Sequence, residues 1–383
     1  MKASQRAQAI EPSLIRALRD KASTTSLDLG LGQTDLPVSE HVLALLQERL
    51  SPPAYASYGP NLGLMSMREA VAKRYGITAD EVLITCGVQQ GLALAFLGLV
   101  DDGDEVLIPD PGFPAYANLV RAAGAIPVSY PLSEGTQDLD IALIRPLVSD
   151  KTCYILINSP SNPTGAVHEG KNMLAVLGEL HDLGVNWISD EIYEDYVYDE
   201  EHVSPASDAA LVSCGVRLSG LSKSHHMMGW RLGWLTGPAS IIDALKPLHQ
   251  HMVTSASTLI QDAGVASLAV HDEVVSQSLA VFRERRDVVY ERLMKIEGVA
   301  CEKPRGAFYL WVDVHRLFRA GEDSLTFALD LLEQEDVVVI PGQGFGSAGE
   351  SFIRIAYTID KSRLEEAMDR FHRFCQRRLA ERA

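Results

Sequence analysis

Thr152-Cys-Tyr-Ile-Leu-Ile157 is followed by the turn Asn158-Ser-Pro-Ser-Asn-Pro-Thr-Gly165, by helical periodicity from Lys171 to Leu183, and by Val185-Asn-Trp-Ile-Ser189. Two apolar runs too short for helices, with a helix between them, form one strand–helix–strand unit. Runs apolar at nearly every position suit strands covered on both faces, as in a parallel sheet. The same alternation extends outward. Glu81 to Thr85, Glu105 to Pro109 and Ala125 to Tyr130 read as strands, with helices at Gln89 to Val100 and Ala115 to Gly124 between them. Downstream, Leu211 to Leu218 and Leu232 to Thr236 read as two more strands. These runs predict an α/β domain with a mostly parallel seven-stranded sheet flanked by helices.

The C-terminal part has another rhythm. Ala280 to Glu297 reads as a charged amphipathic helix bridging two domains. Beyond it, strands are expected at Phe308 to Val314, Val337 to Ile340 and Phe352 to Ala356, and helices at Leu325 to Glu335 and Lys361 to Leu379. This predicts a smaller α+β domain over 281–383, a large domain over 46–280, and an N-terminal segment, 1–45, packing with the small domain.

Charge narrows the function classes. The 383 residues carry 34 Lys+Arg against 51 Asp+Glu, a formal net charge of −17. Such a surface repels nucleic acid and anionic lipid unless the basic residues gather on one face, and no basic tract does so. No apolar run reaches the ~18 residues of a membrane span. Met1 to Asp20 is polar and lacks the apolar core of a signal peptide. The five cysteines, Cys86, Cys153, Cys214, Cys301 and Cys375, are too scattered for a disulfide framework or a zinc site. A cytoplasmic protein without a metal is expected, with Cys86, Cys153 and Cys214 as buried thiols. His249 and His251 lie two apart on a predicted helix and so do not share a face. Gly342-Gln-Gly-Phe-Gly346 has the wrong spacing for a dinucleotide fingerprint, which argues against a nicotinamide dehydrogenase.

Four features sit at ends of predicted strands, where open α/β sheets bind ligands. Asn158 to Gly165 is a rigid turn presenting the Asn162 amide. Asp190, directly after a strand, needs a cation or donor to offset its burial. Gly220-Leu-Ser-Lys223 places an amine at a strand end, a masked nucleophile. Arg231, eight positions later, offers a planar fork for phosphate. Thr85-Cys-Gly-Val-Gln-Gln90 turns from strand into helix and leaves N–H groups that suit an anion. Each is weak alone. Together they match the needs of a bound pyridoxal phosphate.

At this point the chain resembles the class I/II aminotransferases, fold type I pyridoxal phosphate enzymes of the aspartate aminotransferase superfamily. The resemblance runs through Gly30-Leu-Gly-Gln-Thr-Asp-Leu-Pro37, Tyr58-Gly-Pro-Asn-Leu-Gly63, Asp110-Pro-Gly-Phe-Pro-Ala-Tyr116 and Asn158 to Gly165. It continues through Asp190 to Tyr193, Ser222-Lys223 to Gly233, Pro304-Arg-Gly-Ala-Phe-Tyr309, Pro341-Gly-Gln-Gly-Phe345 and Phe352-Ile-Arg354. It implies that the large domain binds pyridoxal 5'-phosphate and that Lys223 holds it as a Schiff base and moves a proton during catalysis. Asp190 would pair with the ring nitrogen. Tyr193 and Asn162 would bond the ring hydroxyl, and Phe113 would stack on the ring. Gly87, Val88, Gln89, Ser222 and Arg231 would surround the phosphate. Arg354, with Gly32 and Asn162, would receive the substrate α-carboxylate.

Tyr58 would reach the phosphate of a neighbouring subunit, which implies a homodimer with shared active sites. The sequence departs from many relatives at Gly220, where a phosphate-binding Ser is common. It departs again at His226, usually a small or amide residue; His225 and His226 are expected to be packed or solvated rather than catalytic. The activity implied is transamination between an α-amino acid and a 2-oxo acid. A β-eliminating C–S lyase or a synthase would use the same Lys, Asp and Arg set. A pyridoxal-phosphate-sensing regulator is disfavoured by the negative charge.

Overall fold

Seven strands hydrogen-bond in the order Val82–Thr85, Gly233–Thr236, Gly215–Gly220, Asn186–Asp190, Thr152–Asn158, Glu105–Asp110 and Ile126–Pro131 in the computed structural model, which describes residues 2–10, 12, 14–50, 55 and 57–381. Met1, Glu11 and Ser13 of the polar N-terminal stretch, and Arg382 and Ala383 of the expected small domain, lie outside the described residues. Gly233–Thr236 runs antiparallel to both neighbours, and every other pair in this sheet is parallel. The period-2 alternation of strand side chains separates two cores. Leu156, Ile188 and Leu218 face Leu92, Phe96 and Leu245 on one side. Ile155, Ile157 and Trp187 face Met173, Val176 and Leu180 of the helix Gly170–Asp182 on the other. Both faces are therefore covered, and the strands Val82–Thr85, Gly215–Gly220 and Gly233–Thr236 are buried at every position.

The smaller part is built on an antiparallel sheet in the order Ile340–Pro341, Phe352–Ala356, Tyr309–Asp313, Ala300–Cys301. Its core joins Leu310, Val312, Ile353 and Ile355 to Phe327, Leu331, Phe371 and Phe374 of the helices Ser324–Glu335 and Lys361–Ala380. Asp323 and Asp360 start these helices by accepting from the Thr326 and Ser362 N–H groups. Leu27 and Leu29 of the N-terminal segment belong to the same core, and Leu27–Asp28 pairs in parallel with Val337–Val338.

Three expected elements differ. The strand expected from Leu211 begins at Gly215, because the Asp208 carboxylate accepts from the Ala210 and Leu211 N–H groups and folds the apolar run into turns. The expected strand Val337 to Ile340 splits in two; Val337–Val338 joins the N-terminal segment, whereas Ile340–Pro341 joins the antiparallel sheet. The charged helix is His271–Leu293, nine residues earlier at its start than Ala280. The expected boundaries 45/46 and 280/281 both fall inside helices, Glu40–Arg49 and His271–Leu293. The latter helix ties several parts together. Arg285 makes a two-bond pair with Asp35 at 2.7 and 3.0 Å, and Arg286 reaches Asp199 and the Pro304 carbonyl, both at 3.2 Å. The thiols also correct the sequence reading: Cys86, Cys153 and Cys214 are half-buried, and Cys375 is the buried one. Among the described residues no helix is long and apolar enough to cross a membrane.

Candidate active site

A cavity of about 630 Å³ opens at the C-terminal ends of the parallel strands, lined by residues of both cores and of the N-terminal segment. Its walls divide by chemistry into four parts.

The first is an anion cradle. Strand Val82–Thr85 ends in Cys86 and Gly87, and Gly87, at φ +81°, turns the chain into the helix Val88–Leu99. The first-turn N–H groups of Val88 and Gln89 have no carbonyl one turn back to bond. Arg231, itself left-handed at φ 58°, lies over this turn, and a Cβ on Gly87 would come within 2.6 Å of its Nη2. A Cβ on Gly233 would come within 2.9 Å of the Val88 nitrogen. Two glycines thus let a guanidinium and a helix start stand side by side, a site for a dianion.

The second is a buried carboxylate. Asp190 ends its strand at 4 % exposure. Its Oδ2 accepts from the Tyr116 hydroxyl at 2.8 Å and its Oδ1 from the Ile192 N–H at 3.2 Å. Burial pushes the carboxyl up to about 6, against the pull of those two donors. Asn158 donates to the Asp190 carbonyl at 2.9 Å and accepts from the Asn162 N–H at 2.8 Å, which locks the turn to the strand end. Phe113 stands edge-on to Tyr116, ring centroids 5.6 Å apart, and faces the same space.

The third is an amine. Lys223 sits in the one-turn helix Leu221–Ser224 directly after strand Gly215–Gly220. Its carbonyl accepts from the Tyr196 hydroxyl, and its Nζ donates to the Gly32 carbonyl at 2.8 Å. Burial first, then the positive charges of Arg354 and Arg231, lower its pKa to about 8. A larger neutral fraction than an ordinary lysine has is then available near neutral pH, as nucleophilic chemistry requires.

The fourth is a buried guanidinium. Arg354, 2 % exposed on strand Phe352–Ala356, donates to Asn162 Oδ1 at 2.6 Å and to the Gly30 carbonyl at 2.5 Å. It lies 4.3 Å from the Tyr309 ring centroid and 4.8 Å from that of Phe345. No described acidic side chain forms an ion pair with it. Burial lowers its pKa from the ordinary arginine value. Tyr309 also meets Tyr193, hydroxyl to hydroxyl at 2.8 Å, and a Cβ on Gly32 would overlap the Tyr309 hydroxyl at 1.9 Å.

An anion cradle, a carboxylate for a cationic ring nitrogen, an amine near pH 8 and a carboxylate receptor in one cavity fit pyridoxal phosphate and an amino acid. Residues 24–371 match the family model described as aminotransferase class I and II. The chain belongs to this family. It is 36 % identical to an aspartate aminotransferase of Pyrococcus abyssi, over 97 % of this chain and 98 % of the relative. It is 35 % identical to aromatic-amino-acid aminotransferase 2 of Thermococcus litoralis, again over 97 % and 98 %. Among solved structures, the aspartate aminotransferase from Thermus thermophilus with maleate superposes with a TM-score of 0.91 at 29 % identity, covering 98 % of this chain and all 100 % of that one. The protein is a pyridoxal-phosphate-dependent transaminase of the aspartate aminotransferase fold.

Of the residues singled out from sequence, Gly32, Val88, Gln89, Phe113, Asn162, Asp190, Tyr193, Ser222, Lys223, Arg231 and Arg354 line this cavity. Gly87 acts behind its wall, and Tyr58, 90 % exposed, lies away from it. Gly220 has a local cause: a Cβ there would stand 2.8 Å from Gly233 Cα and from the Leu232 carbonyl oxygen. His225 and His226 point elsewhere, His225 to Ser224 and the Ser267 carbonyl and His226 to Ser278. Burial lowers both to about 4, so they are neutral packed rings.

Sequence reading missed Tyr116, Tyr309, Asn158 and Arg16 as site residues. Tyr116, Tyr309 and Asn158 all lie inside quoted motifs, but their partners are distant in sequence. Glu191, Glu194 and His202 lie close enough to share a metal ion. Glu191 already accepts from Ser204 and pairs with His202, while Glu194 accepts from Tyr75 and Ser219 and pairs with Arg74. The trio is an ion network behind Asp190.

Proposed function

We propose that the chain moves an amino group between an α-amino acid and a 2-oxo acid, as a cytoplasmic homodimer, with Lys223, Asp190 and Tyr193 as its catalytic residues. Arg354 carries this reading: a buried cation without an acidic partner among the described residues is a receptor for a carboxylate from outside the chain. When bound, pyridoxal phosphate supplies an aldehyde that takes up the amino group and a cationic ring that accepts electrons from the substrate Cα.

The chain's residues supply the rest. Gly87, Val88, Gln89, Ser222 and Arg231 would hold the phosphate. Asp190, kept by Tyr116 in one orientation, would hold the ring nitrogen's proton, and Asn162 and Tyr193 would bond the ring hydroxyl. Phe113 would cover one ring face. The Lys223 amine would take the proton from the substrate Cα and deliver it two bonds away, across the transferred nitrogen. Arg354 would fix the α-carboxylate, and with it the direction of the Cα–H bond. Gly32 brings its carbonyl to the Lys223 amine and leaves room for the Tyr309 hydroxyl.

The homodimer reading is supported by Tyr58, whose ring is 90 % exposed between Leu50 at 62 % and Met65 at 51 %. Single exposed apolar residues are ordinary, but an apolar group beside an expected phosphate contact fits a partner surface. The domain division proposed is an N-terminal segment over 1–45, a large domain over 46–280 and a small domain over 281–383.

The test is the half-reaction. Protein loaded with pyridoxal phosphate is mixed with an amino acid alone and its absorbance followed. Conversion to the pyridoxamine phosphate form, reversed by a 2-oxo acid, is expected. Release of pyruvate and ammonia with the original absorbance retained would instead mark a β-eliminating enzyme.

A further inference from the structure

Tyr309 lines the cavity at 2 % exposure, beside groups with assigned tasks, and the proposed function gives it none. It begins strand Tyr309–Asp313 of the antiparallel sheet, whereas Tyr193 follows the end of strand Asn186–Asp190 in the parallel one. Their hydroxyls meet at 2.8 Å. The Tyr193 ring stands edge-on to Phe308 and to Tyr309, with centroids 5.2 and 5.7 Å apart, so packing fixes its direction. The Tyr309 ring also carries the Arg354 guanidinium, 4.3 Å from its centroid. A Cβ on Gly32 would stand 1.9 Å from the Tyr309 hydroxyl oxygen and 2.7 Å from the carbon that bears it. The hydroxyl thus fills the place of a side chain that Gly32 lacks, with Tyr193 as its partner.

A phenol has one proton to give and two lone pairs to accept with. Which of the pair gives follows from the charges around them. Burial, then the Tyr309 hydroxyl, push Tyr193 well above the ordinary phenol value, and the Asp190 carboxylate adds to this against the pull of Arg354. Burial raises Tyr309 as well, but Arg354 and the bond to Tyr193 pull it back. The other titratable groups near the pair are Tyr116 and Lys223, whose Nζ lies 5.8 Å from the Tyr193 ring centroid. With a cation over its ring, Tyr309 is the better donor. It gives its proton to Tyr193, and the Tyr193 proton is left for a third group. Hydrogen bonds chained in this way strengthen one another.

We infer that Tyr309 is a positioning residue, whose hydroxyl donates to Tyr193 and so aims the Tyr193 proton at the ring hydroxyl oxygen of the cofactor. This rests on the reading of Tyr193 as the residue that bonds that oxygen. The aim has a chemical consequence. A proton held on the ring oxygen draws electron density from it and weakens its hold on the proton of the neighbouring Schiff-base nitrogen. That nitrogen then loses its proton at a lower pH. The Tyr309 ring has a separate task beside Arg354, which its hydroxyl does not share.

The experiment follows the visible absorbance of protein loaded with pyridoxal phosphate as a function of pH, without substrate, in wild type, Tyr309→Phe, Tyr193→Phe and the double variant. Tyr309→Phe removes the hydroxyl and keeps the ring beside Arg354. Its midpoint should rise by about 0.3–1 pH unit, since one neutral hydrogen bond is worth less than a tenfold change. Tyr193→Phe should raise the midpoint further. Adding Tyr309→Phe to Tyr193→Phe should then leave it in place, because the two hydroxyls act as one chain. With an amino acid, kcat in Tyr309→Phe should fall about 2- to 10-fold while KM stays within about twofold, as for a residue that does not hold the carboxylate. An unmoved midpoint in Tyr309→Phe beside a raised one in Tyr193→Phe overturns the inference and leaves Tyr193 at the ring. Equal shifts with and without the Tyr193 hydroxyl also overturn it, since Tyr309 would then act on its own. If Tyr193→Phe itself leaves the midpoint unmoved, the placing of Tyr193 at the ring fails, and the inference falls with it.

Discussion

At the strand ends Asp190 is 4 % exposed and held by Tyr116, while at the cavity mouth Ile10 is 38 % exposed and Arg16 lies in solvent. The floor carries groups that burial has pushed away from their ordinary ionisation: a carboxyl raised to about 6 and an amine lowered to about 8. Each costs the cofactor-free chain stability at neutral pH, because its charged form has given up water for an imperfect set of partners. The roof is built from exposed side chains instead. Its cation is solvated and its helices are short, at four and six residues. The difference separates two tasks. Chemistry common to many amino acids needs preorganised, poorly solvated groups. Choice among side chains can be left to a few groups at the rim.

The comparison can be broken at either end. The largest effect is expected at Lys223: Lys223→Ala should lower transamination ~10³-fold or more, because one amine serves as both nucleophile and proton carrier. Pyridoxal phosphate should still bind, without a covalent link, through Arg231 and the helix start. Steady-state assay and equilibrium dialysis check both halves, and normal turnover would remove Lys223 from the floor. Asp190→Asn should come next. Turnover should fall about 10²-fold or more, since a neutral ring accepts electrons poorly. In the cofactor-free state the same variant should be more stable than wild type at pH 7 by ~1–3 kcal/mol.

The sign follows from linkage. Asp190 is raised in the folded state, so the native chain binds more protons than the unfolded chain between about pH 4 and 6. Its cost is therefore absent below about pH 4, grows as pH rises to about 6 and stays constant above. Denaturant melts of both cofactor-free proteins at pH 4.5 and 7 should show a clearly larger advantage for the variant at the higher pH. A constant difference would mean that Asp190 is not strained.

Arg354→Lys is expected to slow the half-reaction about 10- to 100-fold for α-amino acids, because one point charge replaces a fork. An amine lacking the α-carboxylate should react equally with both proteins. Equal fractional losses for the acid and its decarboxylated amine would show that Arg354 only supports the strand. The smallest effect belongs to the roof. Arg16→Gln should change the melting free energy by under ~0.5 kcal/mol, as for a surface substitution. A larger loss would mean that the mouth is as preorganised as the floor.

The floor was largely legible in the sequence because strand ends announce themselves. Asp190 and Lys223 each interrupt an apolar run, and Gly87 and Asn158 to Gly165 have local turn chemistry. Tyr116 escaped notice because its role depends on a hydroxyl bond to a residue 74 positions away. Tyr309 escaped for a similar reason, its hydroxyl meeting Tyr193 across 116 positions. The roof was illegible for the opposite reason. Arg16 is one of many arginines on exposed helices, and only packing of its helix against Ile340–Pro341 gives it a cavity to line. The misread strand at Leu211 shows the limit of hydrophobic runs, since the Asp208 turn folds Leu211 under Trp187, whose Nε1 donates to the Leu211 carbonyl at 2.9 Å. Gly220 departs from the phosphate-binding Ser common in relatives because the Gly233 backbone fills the place of a side chain there.

The most direct test of the central claim is to load the wild-type protein with pyridoxal phosphate, reduce it with borohydride, digest it and locate the labelled lysine by mass spectrometry. The account predicts one phosphopyridoxyl group per chain, on Lys223. A label on any other lysine, or none with the cofactor bound, would contradict the assignment of the floor and every role built upon it.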